Sequence, residues 1–87
     1  MVNVGDYVAI FQSIHRVMKA EKLLKRAKVE ILLIPAPRQL TSDCGLAIRY
    51  SEDEKTKVLT VLEESDLGPA EVYRKMEDGF ELLETGG

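Results

Sequence analysis

The sequence predicts one α+β domain in which four strands and two helices follow one another as strand, helix, strand, strand, helix, strand. Short apolar runs rich in β-branched and aromatic residues indicate the strands. Two longer segments with apolar residues three and four positions apart indicate the helices. Because 87 residues allow one modest core and not two, we expect all six elements to belong to a single domain.

The first strand and the first helix are predicted from a change of period. Residues 7–11 form a continuous apolar run that is typical of a buried strand. From Ile14 to about Ala27, apolar residues recur with helical spacing. Ser13 precedes this segment and is a natural N-cap, and lysines gather in the last turn, where they suit the helix dipole.

Two further strands flank a polar loop. The apolar run 29–34 predicts the second strand, which Pro35 and Pro37 should end because proline cannot donate a ladder hydrogen bond. The polar loop that follows leads to Cys44. The alternating run 46–50 then predicts the third strand.

The second half of the chain supplies the second helix and the fourth strand. Ser51 and Glu54 have the spacing of a capping box, and the apolar stripe after them indicates a helix. Residues 70–76 alternate loosely and predict the fourth strand. Residues 77–87 are acidic, and we expect a flexible tail, a short helix or an arm that docks a partner.

This order of elements is the split βαβ, or ferredoxin-like, arrangement, in which a single antiparallel four-stranded sheet carries both helices on one face. We therefore expect a ferredoxin-like domain at residues 1–76 and an acidic tail at 77–87. Right-handed crossovers place the third strand beside the first and antiparallel to it. The start of the third strand should then lie where the first strand ends.

Composition and charge exclude several classes of function. The net charge is −3, but residues 1–50 carry eight Lys/Arg and four Asp/Glu, whereas residues 51–87 carry four and eleven. Aromatic residues make up 6% of the chain and tryptophan is absent, so the basic half does not predict nucleic-acid binding. One cysteine and one histidine do not make a metal site. Without a secretory signal or membrane-spanning run, we expect a cytoplasmic protein that contacts no membrane.

Cys44 is the only cysteine in the chain, and it comes directly before the third predicted strand. A lone thiol in this place is either a buried small hydrophobe or a reactive group. The topology predicts that Cys44 lies near Ser13 and the first turn of the first helix. That turn carries His15, where the dipole favours an acid, and Arg38 lies on the proline loop. We expect these groups to favour an anion and to hold the Cys44 pKa below the ordinary thiol value of about 8.5.

Four segments carry the chain's most specific pattern: FQSIH at 11–15, KAEKLLK at 19–25, LIPAPR at 33–38 and CGLAIR at 44–49. Together they resemble the selenium/sulfur carrier protein-like family, a small family also classed as a domain of unknown function. The resemblance covers roughly residues 7–74. It implies that Cys44 is the carrier residue and that His15, Arg38 and Gly45 belong to its motif.

The resemblance implies a carrier or accessory protein, rather than a stand-alone enzyme, that needs no cofactor. Cys44 would take sulfur or reduced selenium from a donor such as a cysteine or selenocysteine lyase, hold it as a persulfide or selenosulfide, and pass it to an acceptor protein. His15 would manage the proton. Arg38, Ser13 and Gly45 would bind the anion or substrate, the last by letting the backbone approach the loaded atom.

Two other functions stay open from the sequence. The chain could be a non-enzymatic module that binds a small ligand or forms a homodimer through its sheet, with Cys44 as a structural residue. Ubiquitin-like sulfur carriers end in Gly-Gly, as this chain does at Gly86-Gly87, but they begin with a hairpin and not with a strand followed by a helix. Hydrolysis is not predicted, because no third residue is evident that would orient a Cys–His pair.

Overall fold

The computed structural model describes residues 2–40 and 45–85. Within them, one antiparallel sheet carries two α-helices. The strands are β1 (Tyr7–Ile10), β2 (Leu32–Pro35), β3 (Leu46–Tyr50), β4 (Glu71–Met76) and β5 (Gly79–Thr85). The helices are α1 (Ile14–Arg26) and α2 (Lys55–Glu64). None of the helices in the described residues is long and apolar enough to cross a membrane.

The strands lie in the order β2-β3-β1-β4-β5, and every neighbouring pair is antiparallel. Helix α1 connects β1 to β2, and β3 lies between these two strands in the sheet. Helix α2 connects β3 to β4, and β1 lies between those two strands. The predicted α+β class, with two helices and an antiparallel sheet, is confirmed. The predicted number of four strands is wrong, because the sheet has a fifth strand.

The additional strand β5 occupies residues that the sequence analysis assigned to a flexible tail, a short helix or a docking arm. Met76 pairs with Gly79, so the hairpin turns through two residues. Gly79 adopts a φ of +144°, a conformation that side chains disfavour. Beyond the turn, Tyr73 pairs with Leu82 while Val72 pairs with Glu84, which leaves Leu83 as an extra residue in a bulge. The bulge interrupts the alternation by which a strand is predicted.

Three predicted element boundaries are also corrected. The second strand begins at Leu32 and not at Val29, because Lys28 takes a left-handed φ of 61° and Val29 donates its N–H back to Leu24 O at 3.0 Å. Pro35 belongs to this strand. Proline has no N–H to donate, and β2 tolerates this because it lies at the edge of the sheet. The Ser51 side chain makes no capping hydrogen bond, and a 3₁₀ turn precedes α2.

Both helices pack on the same face of the sheet. Their buried residues join one apolar cluster with inward-facing residues of β1, β3 and β4: Tyr7, Ala9, Val17, Ala20, Leu24, Ile48, Tyr50, Val58, Leu62 and Val72. The opposite face carries a second cluster, which consists of Val8, Ile10, Ile34, Leu40 and Ala47. The sheet is therefore apolar on both faces, with helices over one and the loop after β2 over part of the other.

Candidate functional site

The end of β1 and the start of β3 meet at the same end of the sheet. Ile10 pairs with Ala47, so Gly45, two residues before Ala47, lies at the end where β1 stops. The chain enters α1 at Ile14, four residues after Ile10. The first turn of α1 and Gly45 thus belong to one end of the fold, as the topology predicted. Cys44 lies outside the described residues.

Ser13 caps α1. Its backbone is extended, and its hydroxyl oxygen accepts a hydrogen bond from the Arg16 N–H at 3.2 Å. The predicted N-cap is confirmed. The first turn of the helix contains no acidic residue, and the His15 side chain is exposed to solvent there. Arg16 turns away to donate from Nη2 to the Asp66 carbonyl oxygen at 2.9 Å. Of the two basic residues in this turn, His15 is the one without a partner among the described residues.

Replacing Ser13 by alanine is expected to lower the free energy of unfolding by about 0.5–2 kcal/mol, because the Arg16 N–H loses its acceptor. Urea denaturation measures the difference. Ser51→Ala is the matched control, since Ser51 also precedes a helical turn but makes no side-chain capping bond. Equal losses in the two variants would contradict the capping role.

Gly45 is fastened to the loop after β2. Its carbonyl oxygen accepts a hydrogen bond from the Ala36 N–H at 2.9 Å, next to the pairing of Pro35 with Leu46. Gly45 is exposed and has a φ of +72°, and an added Cβ would meet no atom within 4 Å. The backbone conformation, and not lack of space, therefore favours glycine here.

Arg38 is exposed on the loop after β2. The loop turns through a hydrogen bond from the Leu40 N–H to the Pro37 carbonyl oxygen at 3.0 Å, and the buried Leu40 side chain fixes it to the second apolar cluster. Arg38 lines an open cavity of about 370 Å³ on the sheet face opposite the helices. His15 belongs to α1 on the other face, and no hydrogen bond or ion pair joins it to Arg38 among the described residues.

Two residues that line this cavity, Lys75 and Phe80, were not predicted as site residues from the sequence. They are directly paired across β4 and β5, and Lys75 Nζ lies 5.2 Å from the centroid of the Phe80 ring. The same ammonium donates to the Met76 carbonyl oxygen at 2.9 Å. The dipeptide Asp78-Gly79 was the available signal, because Asp-Gly between apolar segments is typical of a hairpin turn.

Tyr73, on the same face of the sheet, has a displaced pKa. Burial raises the pKa of the Tyr73 phenol above its ordinary value, and the Glu71 carboxylate, which accepts the phenol's hydrogen bond at 3.0 Å, raises it further. Arg49, which the sequence suggested would pair with a carboxylate on a neighbouring strand, contacts Asp6, just before β1, at 2.9 Å. No cluster of three or more metal-ligating side chains occurs in the described residues.

Comparison with known proteins identifies the family. The family described as "Putative Se/S carrier protein-like" matches residues 6–74, which extend from just before β1 into β4. No curated protein and no solved structure matches the chain. The matched range contains the first turn of α1, the loop with Arg38 and the Cys44-Gly45 dipeptide, and it ends before β5. The resemblance recognised in the sequence is confirmed, and the chain belongs to the Se/S carrier protein-like family.

Proposed function

We propose that the protein relays sulfur or selenium between partner proteins on Cys44. The Cys44 thiolate attacks the terminal sulfur of a donor persulfide, a new S–S bond forms, and the donor cysteine leaves as a thiolate. The product is a Cys44 persulfide, and the exchange needs no oxidant. The same attack on a donor selenosulfide gives a Cys44 selenosulfide. An acceptor nucleophile then removes the terminal atom and regenerates the Cys44 thiolate.

The hydrogen bond between Ala36 and Gly45 is the observation that carries this proposal. It holds the residue directly after Cys44 at 2.9 Å from the backbone of the loop that bears Arg38. The residue that follows Cys44 in the sequence is therefore fixed beside the loop that bears Arg38. The family match supports the element that is carried, since its description names Se/S.

In this proposal, each site residue has one role. The exposed Arg38 guanidinium and the N-terminal turn of α1, capped by Ser13, stabilise the anion on the loaded atom. His15 exchanges the proton, because its exposed imidazole has one nitrogen that can donate and one that can accept. Gly45, whose left-handed φ favours glycine, lets the backbone approach the loaded atom. A thiol used in this way suits a reducing compartment such as the cytoplasm.

We also propose that β1 to β4 with the two helices form a ferredoxin-like unit, to which β5 is added. The support is the order of the strands, in which β3 separates β1 from β2 and β1 separates β3 from β4. This is the arrangement of two interleaved βαβ units. It places the N-terminus of α1 and the start of β3 at the same end of the sheet.

The acidity of Cys44 tests the proposal. The rate of alkylation by iodoacetamide, followed against pH, is expected to reach half its maximum below the ordinary thiol pKa of about 8.5, because only the thiolate reacts. Arg38→Gln should raise that midpoint. Lys57→Gln, which removes an exposed cation from α2, should leave it unchanged. A wild-type midpoint at or above the ordinary value would refute an activated thiol.

The terminal Gly86-Gly87 offers a rival route, in which a C-terminal thiocarboxylate carries the sulfur. Deleting both glycines is expected to leave transfer unchanged. Transfer that is lost on this truncation but survives Cys44→Ser would reverse the assignment. The two variants together therefore separate the routes in one assay.

A further inference from the structure

The cavity beside Arg38 has walls that are mostly apolar. Ile34, Pro35 and Pro37 come from β2 and the loop after it, and Phe80 comes from β5. Val2 lines it from the N-terminal segment. The volume of about 370 Å³ lies within the range of small-molecule sites, roughly 300–1,000 Å³. Its floor is continuous with the second apolar cluster of the core, to which Ile34 belongs.

The charges at this cavity have one sign. Arg38 and Lys75 line it, and no acidic residue does so among the described residues. Arg38 comes from the basic part of the chain, whereas Lys75 comes from residues 51–87, which carry eleven Asp/Glu and four Lys/Arg. Lys75 is held by the Phe80 ring and by a backbone carbonyl, so no carboxylate neutralises it within the described residues. Arg38 likewise makes no ion pair with a described residue.

Apolar walls with two unneutralised cations match a ligand that has an apolar body and one acid group. The walls supply affinity by removing the apolar body from water, and the cations add charge-assisted hydrogen bonds to a carboxylate. We propose that this cavity binds a small organic acid with an aromatic or branched apolar body. Its carboxylate contacts Lys75 and Arg38, and its body lies against Phe80 and the proline loop. Binding at this cavity does not require Cys44 to react, so the result of the binding test does not depend on whether the carrier proposal is correct.

An NMR titration of the full chain with 3-phenylpropanoate, and separately with its amide, tests this site. Saturable shifts are expected at Ile34 and Phe80, with the acid binding about tenfold more tightly than the amide because a charge-assisted contact is worth roughly that factor. Lys75→Gln should reduce affinity for the acid by a similar factor and leave affinity for the amide unchanged. Lys57→Gln is the matched control and should change neither.

Three outcomes would overturn the proposal. The first is the absence of saturable shifts at the cavity residues with either compound. The second is equal affinity for the acid and the amide, or an equal effect of Lys75→Gln on both. The third is the appearance of the same shifts when the protein alone is concentrated, which would assign the cavity to contact with a second copy of the chain.

Discussion

Replacing Cys44 by serine is expected to abolish the relay of sulfur or selenium, with a loss of at least about 100-fold in transfer to an acceptor protein. A serine hydroxyl stays protonated near neutral pH and is a poor nucleophile, so it does not accept the terminal atom of a donor persulfide. Radiolabelled sulfur or selenium, followed from a cysteine or selenocysteine lyase to the acceptor, measures the loss. The chain has no second cysteine that could substitute.

The control for this variant is Ser51→Ala, which removes a hydroxyl that makes no capping bond at the far end of β3 and is expected to keep the transfer. The circular dichroism of Cys44→Ser should match that of the wild type, so that a loss of transfer is not a loss of fold. Transfer at the wild-type rate by Cys44→Ser would refute Cys44 as the carrier. It would favour the view that this cysteine is a packing residue.

Replacing Leu24 by alanine is expected to lower the free energy of unfolding by about 2–5 kcal/mol. The Leu24 side chain is 0% exposed and lies in the cluster that joins both helices to the sheet, so its truncation leaves a cavity where α1 meets the core. Urea denaturation measures the change. Met18→Ala on the same helix is the control, because Met18 is 46% exposed and its loss should cost no more than about 0.5 kcal/mol.

This prediction tests how the candidate site is positioned. Leu24 and Val17 attach α1 to the sheet, and that attachment sets where the Ser13 cap and His15 lie relative to the start of β3. If Leu24→Ala and Met18→Ala destabilised the protein equally, the packing of α1 on the sheet described above would be wrong.

Strong periodicity explains which parts of the fold were predictable from the sequence. β1, α1 and β3 have uninterrupted patterns, and their predicted positions differ from the observed ones by at most one residue. Strand β5 lacks such a pattern, because the adjacent leucines at positions 82 and 83 interrupt the alternation where the bulge occurs. The late start of β2 depends on the left-handed backbone at Lys28, and the sequence does not indicate this turn because lysine has no preference for that conformation.

The site was predictable to the extent that it follows from topology and local chemistry. The position of Gly45 at the end of the sheet where β1 stops follows from the order of the elements. The Ser13 cap follows from its place directly before a segment with helical spacing of apolar residues. The cavity beside Arg38 did not follow, because it depends on the pairing of Lys75 with Phe80 across a hairpin that the sequence analysis did not predict. Contacts made by such distant segments need the sheet order before they can be anticipated.

The intact mass of the protein after incubation with a cysteine or selenocysteine lyase and its substrate shows whether Cys44 carries sulfur or selenium. We expect a gain of about 32 Da for sulfur or about 79 Da for selenium, removable by a thiol reductant and localised to the peptide that contains Cys44. No gain in mass under conditions that load an established carrier, or a gain localised to another residue, would contradict the claim that Cys44 carries the atom.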